Sequence, residues 1–132
     1  MKKILAIDGG GIRGIIPAVV LIEIEKRTGS RIADLFDLIA GTSTGGILSL
    51  GLVKPRSDQS KIPHYTAEEL LKFYFHEGEQ IFPSTAIDKW LGRKSLVGNL
   101  QILTGAKYSH EPLESLLDRY FEDVLMSQAL TP

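Results

Sequence analysis

Two short runs hold the residues whose types and spacing suit chemistry: Asp8-Gly9-Gly10-Gly11-Ile12-Arg13-Gly14 and Gly41-Thr42-Ser43-Thr44-Gly45-Gly46. In the second, a serine stands two positions from a glycine on either side, the pattern of a nucleophile on a sharp strand-to-helix corner. Such a corner forces the serine backbone into a sparsely allowed conformation and brings strand and helix close together, so small neighbours are needed. Gly41 and Gly45 supply that room, Gly46 adds more, and Thr42 and Thr44 complete the turn. The Ser43 hydroxyl would then stand at a helix N-terminus, where unpaired N–H groups and the helix dipole favour negative charge. In the first run, Gly9, Gly10 and Gly11 can turn their N–H groups outward into an anion-binding nest, with Gly14 closing the loop. Arg13 adds a fixed charge or ties the loop down. Together the runs read as two halves of a serine acyl-hydrolase site: a nucleophile, and donors for the oxyanion that forms when it attacks a carbonyl.

Two other readings compete. Ser43 and its threonine neighbours suit a plain helix cap. Gly9, Gly11 and Gly14 also fit the G-x-G-x-x-G of dinucleotide binding, with Asp34 and Asp37 about 20 residues on, where that motif wants an acid. Geometry disfavours the second alternative. Both glycine turns belong at the C-terminal edge of a parallel sheet, whereas Asp34 precedes the second strand and Asp37 lies near its start, roughly 10–20 Å away along the strand.

The elements that must position these turns are legible as apolar runs. Residues 3–7 read as a short apolar strand, and 35–40 as one suited to burial on both faces of a parallel sheet. Residues 12–24 read as a buried helix that tolerates Pro17 only near its first turn. Residues 47–53 continue the serine turn as a helix. Residues 54–65 form a polar, proline-containing connection. Thr66-Ala67-Glu68-Glu69 is a capping box for a helix running to about residue 77, with Phe73, Tyr74 and Phe75 assigned to the core. In residues 111–121, Leu113, Leu116, Leu117, Tyr120 and Phe121 fall along one helical stripe. Residues 96–103 suit a third extended piece. Ile87, Trp90 and Leu91, beside Lys89, Arg93 and Lys94, suit either a core anchor, the favoured reading, or an interfacial helix over an acyl pocket.

D-G-G-G-I-R-G at 8–14 followed by G-T-S-T-G-G at 41–46, at this spacing and joined by an apolar helix, resembles the patatin-like phospholipases. The likeness is strongest over residues 3–53 and extends through residues 108–132. It implies an α/β fold of patatin type, three layers α/β/α around a mainly parallel sheet, with residues 1–132 the N-terminal part of a single, incomplete domain. It further implies that Ser43 is the nucleophile of the elbow 41–46. The loop 8–14, with Gly9, Gly10, Gly11, Arg13 and Gly14, is then the oxyanion loop, and the substrate is a lipid ester or phospholipid. The base of the family is an aspartate in a later D-G-G or D-G-A motif, which is expected beyond residue 132. Within the chain, Asp8, Asp58, Asp88, Asp118, Asp123, His64, His76 and His110 are the other titratable candidates, none in a recognisable catalytic turn.

Composition bounds what remains. The 132 residues are 43% hydrophobic with net charge −1, an ordinary globular balance without the basic excess that nucleic acid would require. There are no cysteines, which excludes disulfides and thiolate-bound zinc. No cofactor or metal is expected. Lys2-Lys3 precedes only four apolar residues, too few for a signal peptide, so the cytoplasm is the expected compartment, with peripheral membrane contact. A sheet this small leaves an apolar face uncovered, so self-association or a further C-terminal segment is expected to complete it. A non-catalytic lipid-binding or regulatory fragment that keeps the serine is the reading from a different functional class.

Overall fold

The computed structural model describes residues 1–57, 60–81 and 111–132. Strand β1 (Ile4–Ile7) pairs in parallel with β2 (Leu38–Gly41), Ile4 opposite Leu38 and Ile7 opposite Gly41. A 3-10 turn (Gly11–Gly14), helix α1 (Ile15–Thr28) and the single turn α2 (Ile32–Leu35) connect them. Beyond β2 come α3 (Thr44–Val53), α4 (Ala67–Ile81), α5 (Glu111–Phe121) and a 3-10 turn at Met126–Gln128. The protein is therefore mixed α/β with a parallel strand pair, as the sequence predicts.

The boundaries shift for local reasons. The expected helix over residues 12–24 begins as a 3-10 turn and becomes α-helical only at Ile15, which puts Pro17 in the first turn, where its missing N–H leaves no bond unmade. It ends at Gly29 in the left-handed region, φ 66°, with the Gly29 N–H donating to the Glu25 carbonyl. The second strand starts later than residue 35. Leu35 belongs to α2, and pairing begins only at Asp37, whose N–H donates to the Lys3 carbonyl at 2.8 Å.

Side chains alternate across the strands. Ile7 and Ile39 are buried beneath the helices, while Ile4 (62% exposed), Leu38 (39%), Ala6 and Ala40 face outward. The apolar run 35–40 suits burial on both faces, but a sheet this small is expected to leave one open, and among the described residues the helices cover one face. That face packs on a core in which Leu21 of α1, Ile32 of α2 and Leu48 and Leu52 of α3 are the most completely enclosed. Helix α4 closes it with Leu70, Phe73 and Tyr74, and α5 adds Leu116. Phe75, assigned to the core from its neighbours, is instead 64% exposed, because a helix that buries positions 70, 73 and 74 turns position 75 outward.

The capping box forms: the Thr66 N–H donates to Glu69 Oε2 at 2.8 Å and the Glu69 N–H to Thr66 Oγ1 at 3.0 Å. Glu25 does similar work from a distance. Its carboxylate accepts from the Ile32 N–H (3.2 Å) and from the Ala67 N–H (3.0 Å), so one side chain of α1 ties down the starts of α2 and α4. The chain ends along β2: the Ile39 N–H donates to the Pro132 carbonyl at 2.8 Å, on the side away from β1. Positions 58, 82–103 and 110, with the aromatic-basic segment around Trp90, the extended piece 96–103, Asp58, Asp88 and His110, lie outside the described residues. No helix among the described residues is long and apolar enough to cross a membrane.

Candidate active site

Parallel pairing brings the two glycine runs together, because β1 and β2 end side by side at Ile7 and Gly41. Ser43, between β2 and α3, has φ 52° and ψ −127°, one of two non-glycine residues with positive φ among those described. A β-carbon in that region crowds its own backbone, and the conformation persists only where the surroundings impose it. Here they do. A side chain at Gly45 would strike the Ile7 carbonyl oxygen, and one at Gly41 would strike the Gly45 carbonyl, so strand and helix meet closer than any other residue allows. The Thr42 N–H donates to the Ile7 carbonyl (3.2 Å), and the Gly46 and Ile47 N–H groups converge on the Ser43 carbonyl at 2.8 and 3.2 Å.

Helix capping does not account for the hydroxyls of this turn. Ser43 is exposed and makes no side-chain capping bond to α3. The threonines on either side point their oxygens at the glycine loop instead: Thr42 Oγ1 accepts from the Gly9 N–H at 3.0 Å and Thr44 Oγ1 from the Gly10 N–H at 3.3 Å. Gly9 lies against the serine, and a β-carbon there would stand 2.7 Å from Ser43 Cβ. Gly11 takes up the left-handed region, φ 60°, while a β-carbon at Gly10 would meet only the Arg13 side chain, at 3.4 Å. Arg13 binds its own loop, its N–H donating to the Gly10 carbonyl at 3.2 Å and its Nε to the same oxygen at 3.4 Å.

The donor inventory differs from the sequence expectation in one respect. The N–H groups of Gly9 and Gly10 already have threonine partners. Among the described residues, the backbone N–H groups of Gly11 and Thr44 have none. One residue at the junction has no counterpart in the sequence reading. Tyr74 of α4 is buried, and its hydroxyl donates to the Thr44 carbonyl at 2.9 Å. Burial pushes its phenol up to about 12. Only the aromatic run 73–75 hinted at Tyr74, and nothing local linked it to the turns.

Other candidates lie elsewhere. Asp37 sits at the opposite end of β2, its carboxylate accepting from the Lys3 N–H at 2.8 Å and pairing with Lys2 Nζ at 3.0 Å. The Lys3 hydrogen bond, then the Lys2 partner, holds its carboxyl below the usual range. Four residues of strand put it about 13 Å from Gly41, too far to meet a ligand at the glycine turns. His64 lies at the far end of α3, its backbone N–H donating to the Lys54 carbonyl at 2.7 Å, and the Asp118 carbonyl accepts from the Glu122 N–H of the neighbouring turn, which Asp123 follows. There Lys54, 4% exposed, directs Nζ to the Tyr120 carbonyl (2.7 Å), to Glu122 (3.0 Å) and over the Tyr65 ring. His76 is exposed on α4. Among the described residues, no three acidic or histidine side chains converge as a metal site would require.

A parallel strand pair whose C-terminal ends carry a glycine loop and a serine turn with positive φ defines a mixed α/β protein. The patatin-like phospholipase family model matches residues 5–132, nearly the entire chain, and the chain belongs to that family. It is 42% identical over 137 residues to patatin-like protein 2 of Oryza sativa subsp. indica and 35% identical over 138 residues to patatin-T5 of Solanum tuberosum. It is also 33% identical over 138 residues to a Solanum tuberosum relative named probable inactive patatin-3-Kuras 1. In each case the match covers 99% of this chain but only 31–33% of the relative, so the chain spans about a third of the length of these proteins. No solved structure gives a significant match.

Proposed function

We propose that these residues carry the nucleophile and oxyanion half of a lipid acyl hydrolase. The observation that supports this most is the Ser43 backbone, held at φ 52° with its side chain exposed and the glycine loop packed against it. A strained, uncapped serine beside unpaired backbone donors has no evident structural use, and it suits attack on an ester.

In this reading, Ser43 Oγ adds to the ester carbonyl carbon while a base takes its proton. The carbonyl oxygen becomes an oxyanion and accepts hydrogen bonds from the loop 9–14 and the Thr44 N–H. Collapse breaks the bond to the alcohol, which leaves with the proton, and water then releases the fatty acid from the acyl-serine. The base is the aspartate that the family resemblance implies beyond residue 132, and Ser43 makes no side-chain capping bond that would occupy its hydroxyl. The outward apolar face of the sheet takes a further segment or a second copy, and the lipid is met at a membrane surface.

The test is fluorophosphonate labelling and ester hydrolysis by the natural protein that carries these residues, with Ser43→Ala alongside. Labelling and turnover are expected to vanish in the variant, the turnover by roughly 10³-fold or more. Labelling that persists removes Ser43 from the mechanism. The 132-residue chain alone is expected to fall short of enzymatic turnover for want of the base. Ser43-dependent hydrolysis by it would locate a base among its own residues.

A further inference from the structure

The glycine loop and the serine elbow belong to separate stretches of chain, yet an oxyanion site works only when both are held to a fraction of an ångström. Two hydroxyls lie at their junction. Thr44 Oγ1 takes the Gly10 N–H, and the Thr44 carbonyl takes the Tyr74 hydroxyl at 2.9 Å. Tyr74 also fills the hollow beside the last glycine of the loop: a β-carbon at Gly14 would stand 2.7 Å from its hydroxyl and 2.8 Å from its ring. The ring is fixed edge-on against Phe73 at 5.6 Å, and Phe73 packs edge-on against Tyr120 at 4.8 Å. One phenol, anchored in the core, therefore touches the end of the loop and the start of α3.

We propose that Tyr74 and Thr44 form a positioning relay, in which the Tyr74 hydroxyl fixes the Thr44 carbonyl and the Thr44 hydroxyl fixes Gly10. This rests on the hydrolase reading of Ser43. The relay grips Thr44 itself and the neighbour of Gly11, two residues of these turns whose backbone N–H groups have no partner among those described. A phenylalanine would fill the same volume but leave the Thr44 carbonyl without this donor, so shape alone does not explain a tyrosine here. Its hydroxyl stays protonated across the range in which an esterase works. Neither residue touches the reacting atoms, and both act through the loop.

The experiment compares Tyr74→Phe, Thr44→Val and Thr44→Ser in the natural protein by three readouts: the rate of Ser43 labelling with a fluorophosphonate, kcat and KM on a soluble ester, and amide exchange at residues 9–14 and 43–46. Tyr74→Phe and Thr44→Val are expected to slow labelling and lower kcat about five- to tenfold, the equivalent of one ordinary hydrogen bond, with KM within about twofold. Amide exchange in the loop is expected to quicken by a similar factor. Thr44→Ser, which keeps the hydroxyl, is expected to restore at least half of the parent rate. Parent-like labelling and parent-like loop exchange in Tyr74→Phe overturn the relay. So does a loss that appears in KM alone, or one that Thr44→Ser fails to rescue. If the parent itself is not labelled, the hydrolase reading fails, and loop exchange in the variants still decides whether the relay holds the loop.

Discussion

The two ends of α3 solve the same problem in opposite ways. Each is bordered by one of the two non-glycine residues with positive φ among those described, Ser43 before the helix and Glu122 in the turn that packs against its end. At the far end the geometry is accounted for. Glu122 occupies the left-handed position after α5, its N–H donates to the Asp118 carbonyl at 2.9 Å, and its carboxylate pairs with Lys54. The buried Lys54 ammonium in turn has an oxygen, a carboxylate and an aromatic face around it. At the near end the conformation of Ser43 is imposed by glycine contacts and its hydroxyl is left unused. One end ties its buried ammonium and its left-handed residue into the fold, and the other holds strain and leaves a hydroxyl exposed. That contrast is what supports the proposed site, since strain of this kind clusters where function uses it.

The contrast can be broken by mutation. Gly45→Ala should have the largest effect, because its methyl group meets the Ile7 carbonyl, a backbone atom that cannot turn aside. A loss of about 2–4 kcal/mol in urea unfolding is expected. Parent-like stability would mean that strand and helix are not held so closely.

Alkali should act next. The Tyr74 phenol has its folded pKa raised to about 12, above the unfolded value near 10. Its contribution is therefore full below pH 10 and is lost as pH rises from 10 to 12, since the unfolded chain gives up that proton more easily. Unfolding followed across that window should steepen in the parent and flatten in Tyr74→Phe. Equal slopes would separate the phenol from stability.

Ser43→Gly should do the reverse of most active-site changes and raise stability. Relieving positive φ is worth about 1 kcal/mol, and for a domain of this size that is a rise of roughly 4 °C in melting temperature, while Ser43→Ala gains nothing of the kind. A glycine variant no more stable than the alanine variant would show that the elbow stores no strain. The smallest effect belongs to Glu122→Gly. Glycine suits the left-handed position, and the ion pair it removes is exposed on the glutamate side, so the melting temperature should stay within the error of a scan. Acid sharpens the same point. Hydrogen bonding to Lys54 and its charge hold the Glu122 carboxyl below its usual range, so its contribution is present above the ordinary glutamate value and fades as pH falls below it.

The sequence by itself determined the two turns, their order and the elements around them. Glycines at fixed offsets from Ser43, an apolar run before each turn and the Thr66–Glu69 box are local signals; the box forms and each run holds a strand, the second shorter than its run. The distance of Asp37 from the turns also followed, because strand geometry is regular enough to measure along. Only the tertiary structure decided which groups meet. Tyr74 reaches Thr44 across 30 positions and Glu25 reaches Ala67 across 42, while Lys54 finds Glu122 across 68, and no spacing rule links such pairs. It also decided that the hydroxyls of Thr42 and Thr44 serve the glycine loop, where they take up the N–H groups of Gly9 and Gly10, and not the start of α3. Local patterns are set by the few rotations of neighbouring residues. The partner of a hydroxyl is set by which distant helix packs over it, and that choice belongs to the whole core.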